Sequence, residues 1–171
     1  MQPYLTMALN NAWANATFYA ALAPLPSGAF TAPRPGFFPT LSGTMNHIHQ
    51  VDLYYLDALE EAGLGRAVFD RPTIEDPSRL AALQAQADMR FAAFCRALTA
   101  PDLARRVATD RPDAPGQSER IDALILHLLQ HQVHHRGQAH VQLQHAGITP
   151  PQLDDFHLDY GRVPSAAAYF A

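Results

Sequence analysis

The chain has 171 residues, a formal net charge of −4 and an apolar fraction of 48%. That is enough for one domain spanning residues 1–171 with a real core, too little for two, and too apolar for disorder throughout. All 12 basic residues are arginine, scattered except for the pair Arg105 and Arg106, so the basic stripe that a nucleic-acid partner requires is missing.

No apolar run reaches the roughly 18 residues of a membrane helix. The start, Met-Gln-Pro-Tyr, lacks the basic and apolar regions of a signal peptide. A cytoplasmic protein with no membrane partner is expected. Cys95 is the single cysteine, which excludes an intrachain disulfide and a thiolate zinc cluster; beside Phe91 and Phe94 it reads as a small buried hydrophobe.

The first predicted helix runs from about Tyr4 to Leu22, with Leu5, Ala8, Ala12 and Tyr19 on one face, and Pro24 and Pro26 end it. A connector follows whose Phe30, Phe37 and Phe38 are expected to pack against the body. The second helix starts near Thr40 to Thr44, runs to about Ala62, buries Leu41, Met45, Ile48, Tyr55 and Leu59, and stops at Gly63 and Gly65. Asp76-Pro77 opens the third, with the stripe Leu80, Leu83, Ala87, Phe94 and Leu98.

Residues from about Leu103 to Gln117 suit a short extended segment and a turn, or a small hairpin. The fourth helix begins near Ser118 and ends by Ala146, where Gly147 terminates it. The remainder is irregular, with Phe156, Tyr160, Tyr169 and Phe170 expected to dock it. Four amphipathic helices without a strong strand pattern indicate an all-α four-helix bundle, in which the long first or last connection crosses the bundle.

Six of the nine histidines fall between His127 and His145. His127, His131 and His135 recur every fourth residue, so two pairs one helical turn apart compete as ligands for one metal ion. Two imidazoles alone form a weak site. The second helix offers His47 or His49 as a third ligand; they point in different directions, and periodicity leans to His47 without settling the choice. Asp52 is the best acidic candidate for orienting an imidazole.

The run His131-Gln-Val-His-His135-Arg136-Gly137-Gln138 resembles the signature of the DinB family of metal-dependent proteins. Trp13-Ala14-Asn15, Gly36-Phe37-Phe38, Gly43-Thr44-Met45-Asn46-His47, Asp52 and Ala146-Gly147-Ile148-Thr149-Pro150 resemble that family in the same order along the chain. The resemblance implies a DinB-like bundle with crossover connections and a metal site of His47, His131 and His135, with His134 a neighbour and His127 outside. Members of known activity include thiol-dependent transferases and isomerases that use mycothiol, bacillithiol or glutathione.

Three neutral imidazoles would leave a divalent ion, zinc or nickel, with open coordination positions for a water or an external thiol. The expected function is therefore metal binding, with a small-molecule substrate and a low-molecular-weight thiol as cosubstrate. The alternatives are a metal-dependent hydrolase and a non-catalytic metal- or ligand-binding bundle. Gln138 is placed to orient an imidazole, and His134 is a conceivable acid or base. Arg136 is expected to bind a substrate carboxylate or pair at the surface, and Gly137 to mark a close-packing position. Tyr54 and Tyr55 line the cavity or the core, and a homodimer suits a bundle of this size.

Overall fold

Thr40 and Asp76 stand where two helices begin, and both cap. The structure, a computed structural model, describes residues 2–111, 114–158 and 163–170. Thr40 Oγ1 accepts from the Gly43 amide at 2.8 Å at the start of the helix Leu41–Leu59, and Asp76 accepts from the Ser78 amide at 2.9 Å ahead of Pro77–Ala97. Each satisfies an amide that has no partner within its helix.

In chain order the elements are α1 (Gln2–Ala21), α2 (Leu41–Leu59), α3 (Pro77–Ala97), the single-turn α4 (Ala100–Ala104), the hairpin β1 (Arg106–Arg111) and β2 (Ala114–Arg120), and α5 (Ile121–His145). Short 3₁₀ segments cover Gly65–Asp70 and Pro164–Tyr169. The hairpin is antiparallel, pairing Arg106 with Arg120 and Thr109 with Gln117. It carries Ser118 to Arg120 in β2, so α5 starts at Ile121 and not near Ser118. Pro112 and Asp113 of the expected turn lie outside the described residues. α2 ends at Leu59, short of Ala62, because Glu61 (φ 55°) already leaves the helical region ahead of Gly63 (φ 84°).

α1 packs along α3 and α2 along α5, and the ring closes through α2 against α3 and α1 against α5. Thr44 meets Gln142, His47 meets His135 and Tyr55 meets His127, so α2 and α5 are antiparallel. α2 and α3 run in the same direction, since Asn46 bonds Ile74 just ahead of α3 while Glu60 bonds Arg90 near its end. The chain from Glu60 to Asp76 must therefore return along the whole of α2, about 28 Å for its 19 residues. This is the crossover. The long connections before α2 and before α5 each stay at one end of the bundle and join α1 to α2 and α3 to α5 across the diagonals of the ring.

The core divides into two apolar clusters. One gathers Trp13, Leu56, Phe91, Leu128 and Phe156; the other gathers Phe18, Leu41, Met45, Leu80 and Leu143. Between them, at the same height in all four long helices, lie seven buried polar residues: Asn11, Asn15, Asp52, Gln84, Asp88, Gln132 and Arg136. Arg136 donates to Asn11 and Asn15 (both 2.8 Å), these donate to Asp88 (3.2 and 3.0 Å), Gln84 donates to Asp88 and Asp52 (3.0 and 2.6 Å), and Gln132 donates to Asp52. Arg136 is thus neither a surface pair nor a substrate anchor, but the one cation of a buried layer holding two carboxylates. Such a layer holds the helices in one arrangement, because any shift leaves a buried polar group without its partner.

The tail docks as expected through Phe156, which is fully buried beside Trp13 and stacked on Phe170, and Trp13 Nε1 donates to Ser165 Oγ at 3.0 Å. Tyr160 lies outside the described residues. Phe30 is buried, whereas Phe37 is 77% exposed and does not pack as expected. Cys95 is buried at 1% exposure, and burial pushes its thiol up to about 12, so it is an inert packing group. Among the described residues no helix is long and apolar enough to cross a membrane.

Candidate metal centre

On α5, one turn brings His131 and His135 to a ring-centroid separation of 4.3 Å on the same face. The antiparallel packing of α2 then sets His47 across from both. His47 Nε2 stands 3.0 Å from His131 Nε2 and 3.2 Å from His135 Nε2. Two nitrogens bound to one ion at about 2.0–2.1 Å are separated by about 2.9–3.4 Å for angles from 90° to tetrahedral. The two spacings fall inside that window, and ligand atoms of all three side chains lie within 4.8 Å of one another. No fourth histidine, cysteine or acidic side chain joins this group among the described residues.

The imidazoles are held in the form that binds a metal. Burial, then the neighbouring His135, lowers His47 to about 4; burial, then the surrounding histidines, lowers His131 to about 3; His135 is lowered chiefly by burial. Neutral rings at pH 7 offer lone pairs without a proton to displace. His135 Nδ1 donates to Gln138 Oε1 at 2.8 Å, since the amide oxygen can only accept, which leaves Nε2 unprotonated and turned toward His47.

The other expected residues are distributed as follows. His134 is exposed, meets Gln138 Nε2 at 3.1 Å and packs its ring edge-on against His135 at 4.8 Å, but offers no ligand atom to the group. Asp52 is not beside an imidazole: its bonds go to Gln84 and Gln132 in the buried layer. His127 packs its ring against Tyr55 at 5.0 Å and lies 6.3 Å from the His131 ring, outside the cluster. His49 is buried outside the cluster as well. Gly137 is not a close-packing position, because a Cβ there would meet nothing within 4 Å.

Phe38 forms the roof, its ring 4.5 Å from that of His47 and 5.8 Å from that of His135. It is pinned by Gln142, which donates from Nε2 to the Phe38 carbonyl at 2.7 Å and accepts from Thr44 Oγ1 at 2.7 Å. Gly36 allows this approach, since a Cβ there would come within 2.7 Å of Gln142 Nε2. Beside His131 opens a cavity of about 330 Å³ walled by Val51, Tyr54, Tyr55 and Phe69, with Arg66 and Asp110 as its charged residues. Tyr54 and Tyr55 are buried and line it, so they serve both core and cavity.

The buried layer escaped the sequence reading, although it had a signal. Asn11 and Asn15, Gln84 and Asp88, and Gln132 and Arg136 are three polar pairs, each one turn apart, set among core positions of α1, α3 and α5. Singly, each resembles the border of a solvated face.

Comparison with known proteins places the chain in a family. The DinB protein of Bacillus subtilis (strain 168) is 20% identical over 150 residues, covering 84% of this chain and 86% of that protein. A crystal structure of a DinB-like protein from Bacillus cereus ATCC 10987 superposes with a TM-score of 0.63 at 22% identity, over 82% of this chain and 90% of the other. A DinB-like protein (YjoA) from Bacillus subtilis gives a TM-score of 0.65 at 17% identity, over 88% and 96%. These two likenesses concern the fold. The DinB family model matches residues 1–162, and the chain therefore belongs to the DinB family.

Proposed function

We propose that His47, His131 and His135 hold a divalent metal ion, zinc or nickel, and that the protein uses it as an enzyme on a small-molecule substrate with a low-molecular-weight thiol as cosubstrate. The observation that carries this reading is the convergence of three neutral Nε2 atoms, at 3.0 and 3.2 Å, with no fourth protein donor in the group among the described residues. Three ligands with a position left over is the pattern of a catalytic site, whereas a structural zinc is closed by a fourth. An ion held there supplies Lewis acidity, enough to make a thiolate or a hydroxide available near neutral pH.

The chain's own contribution is positioning. Gln138 holds the His135 proton on Nδ1, and Phe38 keeps water from one side of the cluster. The cavity beside His131 offers an apolar, aromatic-walled space next to the histidines, and Arg66 gives an anionic group on the substrate or the thiol a partner. A thiol-dependent S-transferase or isomerase fits these features. The test is a thiol-transfer screen with glutathione, bacillithiol and mycothiol against an electrophilic chloronitrobenzene, using metal-loaded and chelated protein. Metal-dependent thiol transfer supports the reading; ester hydrolysis without thiol dependence assigns a hydrolase, and neither activity with metal retained assigns a binding role.

The reading extends to a homodimer. Leu126, Val133 and Val141, 56%, 57% and 48% exposed on the outer side of α5, supply apolar surface for it. A monomer by analytical ultracentrifugation would reject that extension.

A further inference from the structure

On the face of the bundle opposite the histidines, between α1 and α3, lies a cavity of about 770 Å³, within the size range of small-molecule sites. Its walls are apolar, from Leu22, Leu25, Phe30 and Ala81. Its floor is the polar layer: Asn15, Tyr19, Gln84 and Asp88 all border it.

Two features of the floor call for a ligand. The Tyr19 hydroxyl has no hydrogen-bond partner among the described residues, although the side chain is only 8% exposed. A buried hydroxyl left unpaired loses its bond to water without replacement. Asp88 accepts from Asn11, Asn15 and Gln84 on Oδ1, but among the described residues its Oδ2 takes only Asn15, at 3.1 Å, so acceptor capacity remains there.

The charge of the missing ligand follows from the lining. Its charged residues are Glu75 and Asp88, with no arginine or histidine among those described. Behind the floor, Asp88 and Asp52 lie near the single guanidinium of Arg136, and burial holds both carboxyls well above the usual carboxylate range. A positive group entering from the cavity would find acceptors in the Tyr19 hydroxyl and Asp88 Oδ2 and would favour the ionised form of Asp88, whereas a carboxylate or phosphate would face Glu75 and Asp88.

We propose that this cavity binds a small primary amine with an apolar body, its ammonium group donating to Tyr19 Oη and Asp88 Oδ2 and its hydrocarbon lying between α1 and α3. The site is independent of the metal reading, because none of the three histidines borders it.

The test titrates the full chain with 2-phenylethylamine, and with the matched neutral 2-phenylethanol and anionic 3-phenylpropanoate, by calorimetry and by amide chemical-shift mapping. The amine is expected to bind at least about tenfold more tightly than the alcohol, the propanoate not to bind, and the shifted amides to cluster on α1 and α3. Tyr19→Phe should weaken the amine by about tenfold. Ala81→Phe should block it by filling the cavity, with Ala85→Phe on the same lining as a second blocking variant should the first fail to fold. His47→Ala should leave amine binding unchanged. Equal affinity for the three probes, no binding by any, or loss in His47→Ala with retention in both blocking variants would overturn the proposal. A dimer that Ala85→Phe dissociates, with no amine bound by the wild type, would assign the groove to a second copy and overturn it too.

Discussion

His135 donates from Nδ1 to Gln138 Oε1, one turn further along α5, at 2.8 Å. This bond settles which nitrogen of the ring faces His47, and so ties a surface-side amide to the donor atoms of the cluster. Gln138→Ala should therefore weaken metal binding by about 10–100-fold while leaving the fold intact. Gln138→Glu, which still accepts, should retain most of the affinity. Competition against a chromophoric chelator measures both; equal affinity in all three proteins would remove Gln138 from the site.

Gly36 controls the roof. Gly36→Ala places a Cβ 2.7 Å from Gln142 Nε2 and 3.0 Å from the Phe38 carbonyl, so the Gln142 clasp on Phe38 must open. The expected cost is about 1–3 kcal/mol in urea unfolding, together with loss of the Phe38 ring contact with His47 in nuclear Overhauser spectra. Unchanged stability and an unchanged contact would show that the roof is not held by this clasp.

Much of this arrangement was legible in the residues. Thr40 and Asp76-Pro77 marked helix starts by their capping chemistry, and the core face of α2 followed from spacing. The helical repeat alone offered two competing histidine pairs on α5, and the DinB resemblance singled out His131 and His135. The choice between His47 and His49 did not follow from spacing, because it depends on how α2 is rotated against α5, a tertiary fact that one helix does not encode. The lengthwise return between α2 and α3 was not foreseen for a similar reason: connector length does not reveal direction, and the Glu60–Asp76 stretch looked like an ordinary loop. Arg136 was misread because an arginine is usually solvated; its burial becomes visible only when Asn11, Asn15 and Gln132 are seen to supply acceptors from two helices.

Arg136 is the sole guanidinium of the buried layer, still a cation at neutral pH although burial lowers it to about 10. Arg136→Met should cost about 3–5 kcal/mol, because it strands the buried acceptors Asn11 Oδ1 and Asn15 Oδ1 and removes the layer's cation beside Asp52 and Asp88. Adding Asp88→Asn to Arg136→Met should recover part of the loss, a coupling that a double-mutant cycle in urea detects. Strictly additive effects would mean that the two residues do not share the layer's charge.

Asp88 also sets a pH dependence. Burial, opposed by its hydrogen bonds and by Arg136, holds its carboxyl up to about 7 in the folded protein, against 3.8 for an ordinary one. Between these values the folded state keeps a proton that the unfolded chain has released, so this group's contribution to stability falls as pH rises from about 4 to about 7 and is flat above. Asp88→Asn lacks the effect. In chelated protein its stability relative to wild type should rise across that window, by up to about 4 kcal/mol, while the histidine contributions cancel in the difference. A difference independent of pH would contradict the burial assigned to this carboxyl.

The central claim is that imidazoles from α2 and α5 share one ion, and metal analysis of the purified chain beside single-histidine variants tests it most directly. Wild type, His49→Ala and His127→Ala should each carry about one ion per chain after exhaustive dialysis, and His47→Ala and His135→Ala less than about a tenth of that. Full metal content in both His47→Ala and His135→Ala, or none in the wild type under any loading condition, would contradict it.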